Sequence, residues 1–189
     1  MKHRLFVISA ASGAGKTTLK NLVIQGFPDI CYSISATTRS PREGEIDGVH
    51  YFFKTKEEFK KMIAEEALVE WNEVHGNYYG TPKKFVEEKL ADGKRVLFDL
   101  DVFGKVNFDK VYPEATGILI LPPSIEELKK RLCERASDTE EVIQLRLANA
   151  NKEMDFAHQF GKYEYTIIND DLEKAAQELR EILKDPHLS

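Results

Sequence analysis

The sequence predicts an α/β domain built on a mainly parallel sheet and interrupted by a small strand-rich lobe. Three observations predict it. Short continuous apolar runs such as Leu5-Phe6-Val7-Ile8 have the pattern of strands buried on both faces. Segments of helical periodicity alternate with these runs, the order expected when helices cross over a parallel sheet. Between about residues 36 and 82 the alternation gives way to strand and turn signals, so an inserted lobe is expected there.

The elements follow in order. "KTTLKNLVIQGF" places Leu19, Leu22 and Val23 at helical spacing and ends near Gly26. "CYSISATT" reads as one second strand, and "VHYFF" resumes strand character after a polar, turn-rich stretch from Arg39 to Gly48. "KEEFKKMIAEEAL" gathers Phe59, Met62 and Ile63 on one helical face. "LVEWNEVHGNYYGT" alternates and turns at Gly76-Asn77, a hairpin signal. Thr81-Pro82 is expected to start a helix, with a hydroxyl cap and proline in the first turn, and Asp92-Gly93 to close it. "RVLFDLD" is a buried strand that would put Asp99 and Asp101 on one face. "TGILILPPS" is the next strand, and Ser124 with Glu127 forms a capping box for the helix after it. The charged "RLCERASDTEEV" leads into a helix running to about Phe156. "YEYTIIND" is the last strand and "LEKAAQELREIL" an amphipathic closing helix.

Bulk composition narrows the function classes. A chain of 189 residues, 42% hydrophobic and 31% charged, suits one globular domain. A net charge of −5 argues against general affinity for nucleic acid or anionic membranes, so an anionic ligand needs its positive charge supplied locally. Cys31 and Cys133 are far apart and the five histidines are scattered, which disfavours a disulfide framework or a zinc site. The apolar run at the start is too short for a signal segment or a membrane span, and a cytoplasmic protein is expected.

The chemistry concentrates in four places. "SAASGAGKTT" nearly matches the phosphate-binding loop G-x-x-x-x-G-K-[ST], with Ala10 where the first glycine belongs. Gly13 and Gly15 let backbone N–H groups approach phosphate oxygens at the positive end of a helix. Lys16 would reach the β- and γ-phosphates, and the Thr17 hydroxyl would serve Mg²⁺. Arg39 and Arg42, with Tyr51 close behind, supply donors suited to a phosphate group, although two loop arginines taken alone are usually solvated charge. Arg131 and Arg135 share a helix face, which by itself reads better as a solvated basic stripe than as a site. Asp99 and Asp101, ending a buried strand near the loop, suggest a metal and ligand site.

The loop, "SATTRSPREGEIDGVHYFF", "GNYYGT", "DLDVFG", "PPS" with the arginines after it, and "NDDL" together resemble the guanylate kinase family of P-loop nucleoside monophosphate kinases, from about Leu5 to Asp171. The resemblance implies a P-loop NTPase core at about residues 1–35, 83–130 and 158–189. It also implies a mixed β/α GMP-binding lobe at about 36–82 and a helical lid at about 131–157. It implies transfer of the ATP γ-phosphoryl group to GMP, with Mg²⁺ accompanying ATP. Ser12, Gly13, Ala14, Gly15, Lys16, Thr17, Thr18 and Asn169 would bind ATP, with Thr17 and Asp101 at the metal. Arg39, Arg42, Tyr51 and Tyr79 would hold the GMP phosphate, Ser35, Glu70 and Thr81 would face guanine, and Asp99 and Asp101 would lie near the nucleotide. Lys16, Arg39, Arg42, Arg131, Arg135 and Arg146 would serve the transferring phosphoryl group. The substrates implied are ATP and GMP, with dGMP as a further acceptor and no obligate protein partner. The chain departs from the family pattern at Ala10, Ala11, Phe103, Lys105 and Ala136. Two rivals stand beside this reading: a non-catalytic phosphopeptide-binding module of the same fold, and a related kinase acting on a ribosyl phosphate.

Overall fold

The computed structural model describes residues 4–74, 76–134 and 139–184. Five strands pair in parallel: β1 (Leu5–Ala10), β2 (Ile30–Tyr32), β7 (Arg95–Asp99), β8 (Thr116–Leu121) and β9 (Tyr165–Ile168), in the order β2-β7-β1-β8-β9. β1 is central and buried throughout. Its alternation sends Phe6 and Ile8 into one core and Leu5 and Val7 into the other. Helices α1 (Lys16–Ile24) and α7 (Leu172–Lys184) cover the first face through Leu19, Val23, Ala175 and Leu179. Helices α3 (Lys83–Ala91) and α4 (Val102–Val111) cover the second through Val86 and Phe108.

A second sheet holds β3 (Ala36–Thr37), β4 (Phe52–Phe53), β5 (Leu68–Val74) and β6 (Asn77–Pro82), in the order β4-β3-β6-β5. β3 runs parallel to β4 and antiparallel to β6. Helix α2 (Lys56–Ala64) packs on this sheet by burying Phe59 against Ala36 and Leu68, and the Phe59 ring stacks on Tyr78 at 5.4 Å between centroids. Helices α5 (Ile125–Glu134) and α6 (Glu140–Phe160) pack together through Leu128, Leu132, Ile143 and Leu147, with Ala11 of the first loop in the same cluster.

The structure corrects several local expectations. "CYSISATT" is not one strand: β2 ends at Tyr32 in the first sheet and β3 begins at Ala36 in the second. Helix α4 has no counterpart in the sequence reading; it starts at Asp101, whose carboxylate accepts the Gly104 N–H at 2.6 Å. Asp99 therefore ends a strand while Asp101 caps a helix, and the two do not alternate on one strand face. Thr81 does not cap α3, because β6 runs through Pro82 and the Thr81 hydroxyl turns to Glu70 instead. Ser124 caps α5 through the Glu127 N–H at 3.1 Å, but the Glu127 carboxylate pairs with Arg131 one turn on. Helix α6 continues to Phe160, past the expected end near Phe156.

Candidate active site

The glycine-containing loop runs from the end of β1 into α1. Ala10 is the last residue of β1 and pairs with Ile120 across the ladder. Among the described non-glycine residues only Glu66 has a positive φ, so the Ala10 methyl meets no backbone strain. Gly13 and Gly15 do need to be glycine, each having φ of +89°. A Cβ on Gly15 would sit 2.5 Å from Asn169 Nδ2, and one on Gly13 would sit 2.7 Å from Leu128 Cδ1. Asn169, buried just beyond β9, donates to the Ala14 carbonyl at 2.8 Å and so fastens the loop from below. No side chain caps α1, which leaves its first N–H groups for an incoming anion. Residues Ala10 to Thr18 line a cavity of about 260 Å³ with Asp101 and Glu153. Glu153, from α6, accepts the Ser12 N–H at 2.8 Å, and burial pushes its carboxyl above the usual range.

Lys16 pairs with Asp99 and donates to the Leu100 carbonyl at 2.9 Å. The other Asp99 oxygen faces Lys20 at 3.7 Å and the Tyr32 hydroxyl at 3.2 Å. Burial works to raise the Asp99 pKa, but Lys16, Lys20 and Tyr32 outweigh it and hold the carboxyl below its ordinary value. Burial lowers the pKa of Lys20, with Asp99 opposing that shift.

A pocket of about 200 Å³ opens between the sheets. Ser35, Tyr51, Glu70, Asn72, Tyr79, Asp99 and Asp101 all line it, so six of the nine residues expected around GMP converge there. Glu70 is only 7% exposed, and the buried Thr81 hydroxyl donates to its Oε1 at 2.7 Å. Burial pushes the Glu70 carboxyl up to about 7. Gly104 makes this crowding possible, since a Cβ there would lie 3.1 Å from Glu70 Oε2 and 3.3 Å from Asp101 Oδ1. The Arg39 guanidinium lies 5.4 Å from the Tyr51 ring centroid and bonds Glu45 at 2.8 Å. Glu45 also accepts the Arg42 N–H at 2.7 Å, and its carboxyl is held down to about 2 by Arg39. Arg42 is exposed. A larger chamber of about 690 Å³ shares Lys16 and Thr17 with the loop cavity and Ser35, Tyr51 and Asp99 with the pocket.

Other expected residues stand apart from these spaces. Arg131 lies on α5, bonded to Glu127 at 3.3 Å, and Arg146 is half-buried on α6; neither lines the three cavities. Arg135 and Ala136 lie outside the described residues. Phe103 does not line the pocket and packs on Phe156 with ring centroids 4.5 Å apart, so that departure leaves the pocket lining unchanged. Sequence reasoning missed Lys20, Glu45 and Glu153. Lys20 had a weak signal, one helical turn after Lys16, and Glu45 sits inside a motif already quoted. Glu153 had none, being 141 residues from its partner in the chain.

A parallel sheet whose first strand feeds a glycine loop and an uncapped helix defines a P-loop nucleotide-binding protein of the α/β class. The family model "Guanylate kinase" matches residues 2–186, and the chain belongs to the guanylate kinase family. It is 48% identical to a guanylate kinase of Synechocystis sp. over 97% of this chain and 94% of that protein. It is 46% identical to one of Caldanaerobacter subterraneus subsp. tengcongensis, over 95% of this chain and 85% of the relative. The crystal structure of guanylate kinase from Anaplasma phagocytophilum superposes with a TM-score of 0.71 at 32% identity, covering 95% of this chain and 83% of that one.

Proposed function

We propose that this protein is a guanylate kinase, transferring the γ-phosphoryl group of ATP to GMP to give ADP and GDP. One observation carries the reading: a single chamber is lined on one side by the loop residues Lys16 and Thr17 and on the other by Ser35 and Tyr51 of the guanine-suited pocket. A donor triphosphate on the loop and an acceptor phosphate beside Tyr51 would meet there.

The chemistry asks for positioning and charge neutralisation rather than a general base. The second pKa of a phosphate monoester is about 6, so the GMP phosphate is largely dianionic at neutral pH. One of its oxygens attacks the γ-phosphorus, and the bond from that phosphorus to the β-phosphate oxygen breaks as ADP leaves. Backbone N–H groups of Gly13, Gly15 and Lys16 and the Lys16 ammonium hold the donor phosphates. Arg39, Arg42, Tyr51 and Tyr79 hold the acceptor phosphate, and Arg131, Arg135 and Arg146 add cationic charge when the lid at about 131–157 closes. Mg²⁺ arriving with ATP would neutralise phosphate charge, and the Thr17 hydroxyl and Asp101 carboxylate, which line one cavity, suit its oxygen preference. Glu70 accepts the guanine N1–H and N2–H donors, Ser35 serves the base from beside it, and Thr81 acts through its bond to Glu70.

The lobe at about 36–82 is the GMP-binding unit in this reading, and the enzyme is cytoplasmic, acting on free nucleotides. Among the described residues no helix is long and apolar enough to cross a membrane. The test is a coupled assay of ADP formation with GMP, dGMP and AMP as acceptors. GMP and dGMP should be used well and AMP roughly 10⁴-fold less, because adenine leaves Glu70 unpaired. No ADP formation with GMP would favour the phosphopeptide-binding rival.

A further inference from the structure

Lys16 and Lys20 lie one turn apart on α1, where like charges repel. Both nevertheless turn to the same carboxylate. Asp99 gives Oδ1 to Lys16 and Oδ2 to Lys20, at 3.7 Å, and to the Tyr32 hydroxyl, at 3.2 Å. The Lys20 ammonium also sits 3.9 Å from the centroid of the Tyr32 ring. Side-chain exposures of 12% for Lys20 and 19% for Asp99 keep this cluster largely out of water.

This arrangement bears on how the loop lysine becomes available. Lys16 spends donors on Asp99 and on the Leu100 carbonyl, and a triphosphate on the loop must draw the ammonium away from them. A mostly buried carboxylate that loses its only cation is strongly destabilised, so Asp99 alone would hold Lys16 back. Lys20 and Tyr32 occupy the other oxygen and are unaffected by that departure. We infer that Lys20, braced on Tyr32, is the reserve counter-ion of Asp99 and frees Lys16 for the donor phosphates. It is a positioning residue that acts through Lys16, and the inference rests on the loop being the ATP site.

The test is a thermodynamic cycle on binding of a non-hydrolysable ATP analogue with Mg²⁺, measured by calorimetry. Lys20→Met should weaken binding about tenfold, within the range of coupled neighbouring residues. In a Lys16→Met background the same substitution should change affinity less than about twofold, because no loop lysine is left to free. Lys20→Arg should restore most of the affinity. In turnover, Lys20→Met should raise the KM for ATP with kcat nearly unchanged at saturation. Tyr32→Phe gives a milder second variant, about threefold weaker and likewise silent without Lys16. Wild-type affinity in both Lys20→Met and Tyr32→Phe would overturn the inference. So would an equal loss in both backgrounds, which would make Lys20 a direct phosphate contact or a structural support. A wild-type protein that fails to bind the analogue would overturn the kinase reading itself, whereas binding that depends on Lys16 but not Lys20 would remove this inference alone.

Discussion

The phosphate loop and the pocket between the sheets are both suited to a nucleotide, but they are built from the chain in different ways. The loop cavity is lined mainly by nine consecutive residues, Ala10 to Thr18, whose contribution is mostly backbone N–H groups and one lysine. The pocket gathers Ser35, Tyr51, Glu70, Tyr79 and Asp99 from separate segments, and its chemistry is almost entirely that of side chains. A backbone site tolerates substitution wherever φ stays negative and no Cβ meets a wall, which is why Ala10 is harmless while Gly13 and Gly15 are fixed. A side-chain site depends on each member and on the burial around it. Glu70 shows this most clearly, since the same carboxylate in water would titrate in the ordinary range.

The comparison breaks hardest at Lys16, the one loop side chain that should be indispensable. Lys16→Ala should lower phosphoryl transfer from ATP to GMP by more than about 10³-fold, a loss typical of removing a phosphate-stabilising cation. Its thermal midpoint should stay close to wild type, since Lys20 and Tyr32 still accompany Asp99. Activity retained in that variant would mean the loop is not the donor site.

Next in size is Glu70→Ala, with an expected loss of about 10³-fold in kcat/KM for GMP and a collapse of the preference over AMP. Glu70→Gln should fall between, because an amide oxygen accepts while its NH₂ opposes a guanine donor. An unchanged preference in Glu70→Ala would move base recognition out of this pocket.

The pH dependence sharpens the same point. In the folded protein Glu70 holds its proton up to about pH 7, and GMP recognition needs the carboxylate. The kcat/KM for GMP should therefore fall about tenfold per pH unit below 7 and level off above it. Glu70→Gln should lose that limb and keep only the phosphate titration near 6. Stability carries the opposite sign. The folded state binds the Glu70 proton more tightly than the unfolded chain does, so the group's contribution declines as pH rises from the unfolded value of 4.5 to about 7. Denaturation curves of wild type and Glu70→Gln at pH 5 and pH 8 measure that difference, which should favour the variant at the higher pH.

Ala10→Gly should be a small effect, less than tenfold in kcat, or under about 1.4 kcal/mol of barrier. A larger change would show that the strand end, and not only the amides after it, tunes the loop. Smallest is Glu66→Gly, at the left-handed residue after α2, where φ is +51°. Relief of backbone strain against the entropy of glycine should leave a gain of roughly 0.5 kcal/mol in the denaturation free energy, with catalysis untouched.

Much of this is legible in the sequence alone. Residues close in sequence, such as Gly13, Gly15 and Lys16, announce a phosphate loop because backbone geometry over a few residues is a local matter. Apolar runs announced the buried strands for the same reason. The short strands of the lobe were harder. Nothing between Cys31 and Thr38 marks where the chain leaves one sheet for the other, because both sheets accept the same alternating pattern. Helix α4 was hidden because its outer face carries Phe103 and Val111, both exposed, and its buried face carries Lys105, which blurs the amphipathic signal. Lys105 is fully buried and satisfied by Asp109 at 2.6 Å and the Lys162 carbonyl at 2.9 Å.

Local spacing thus settled the alternation of strands and helices, the loop, the family resemblance and the residue types available to bind phosphate and guanine. Long-range packing decided what those residues do. It turned Thr81 from a helix cap into the partner of Glu70, and separated Asp99 from Asp101 by ending a strand between them. It brought Glu153 against the loop and set Lys20 and Tyr32 on the far oxygen of Asp99. The physical reason is that hydrogen-bond partners and desolvation depend on neighbours in space, and neither is written in the spacing of residues along one segment.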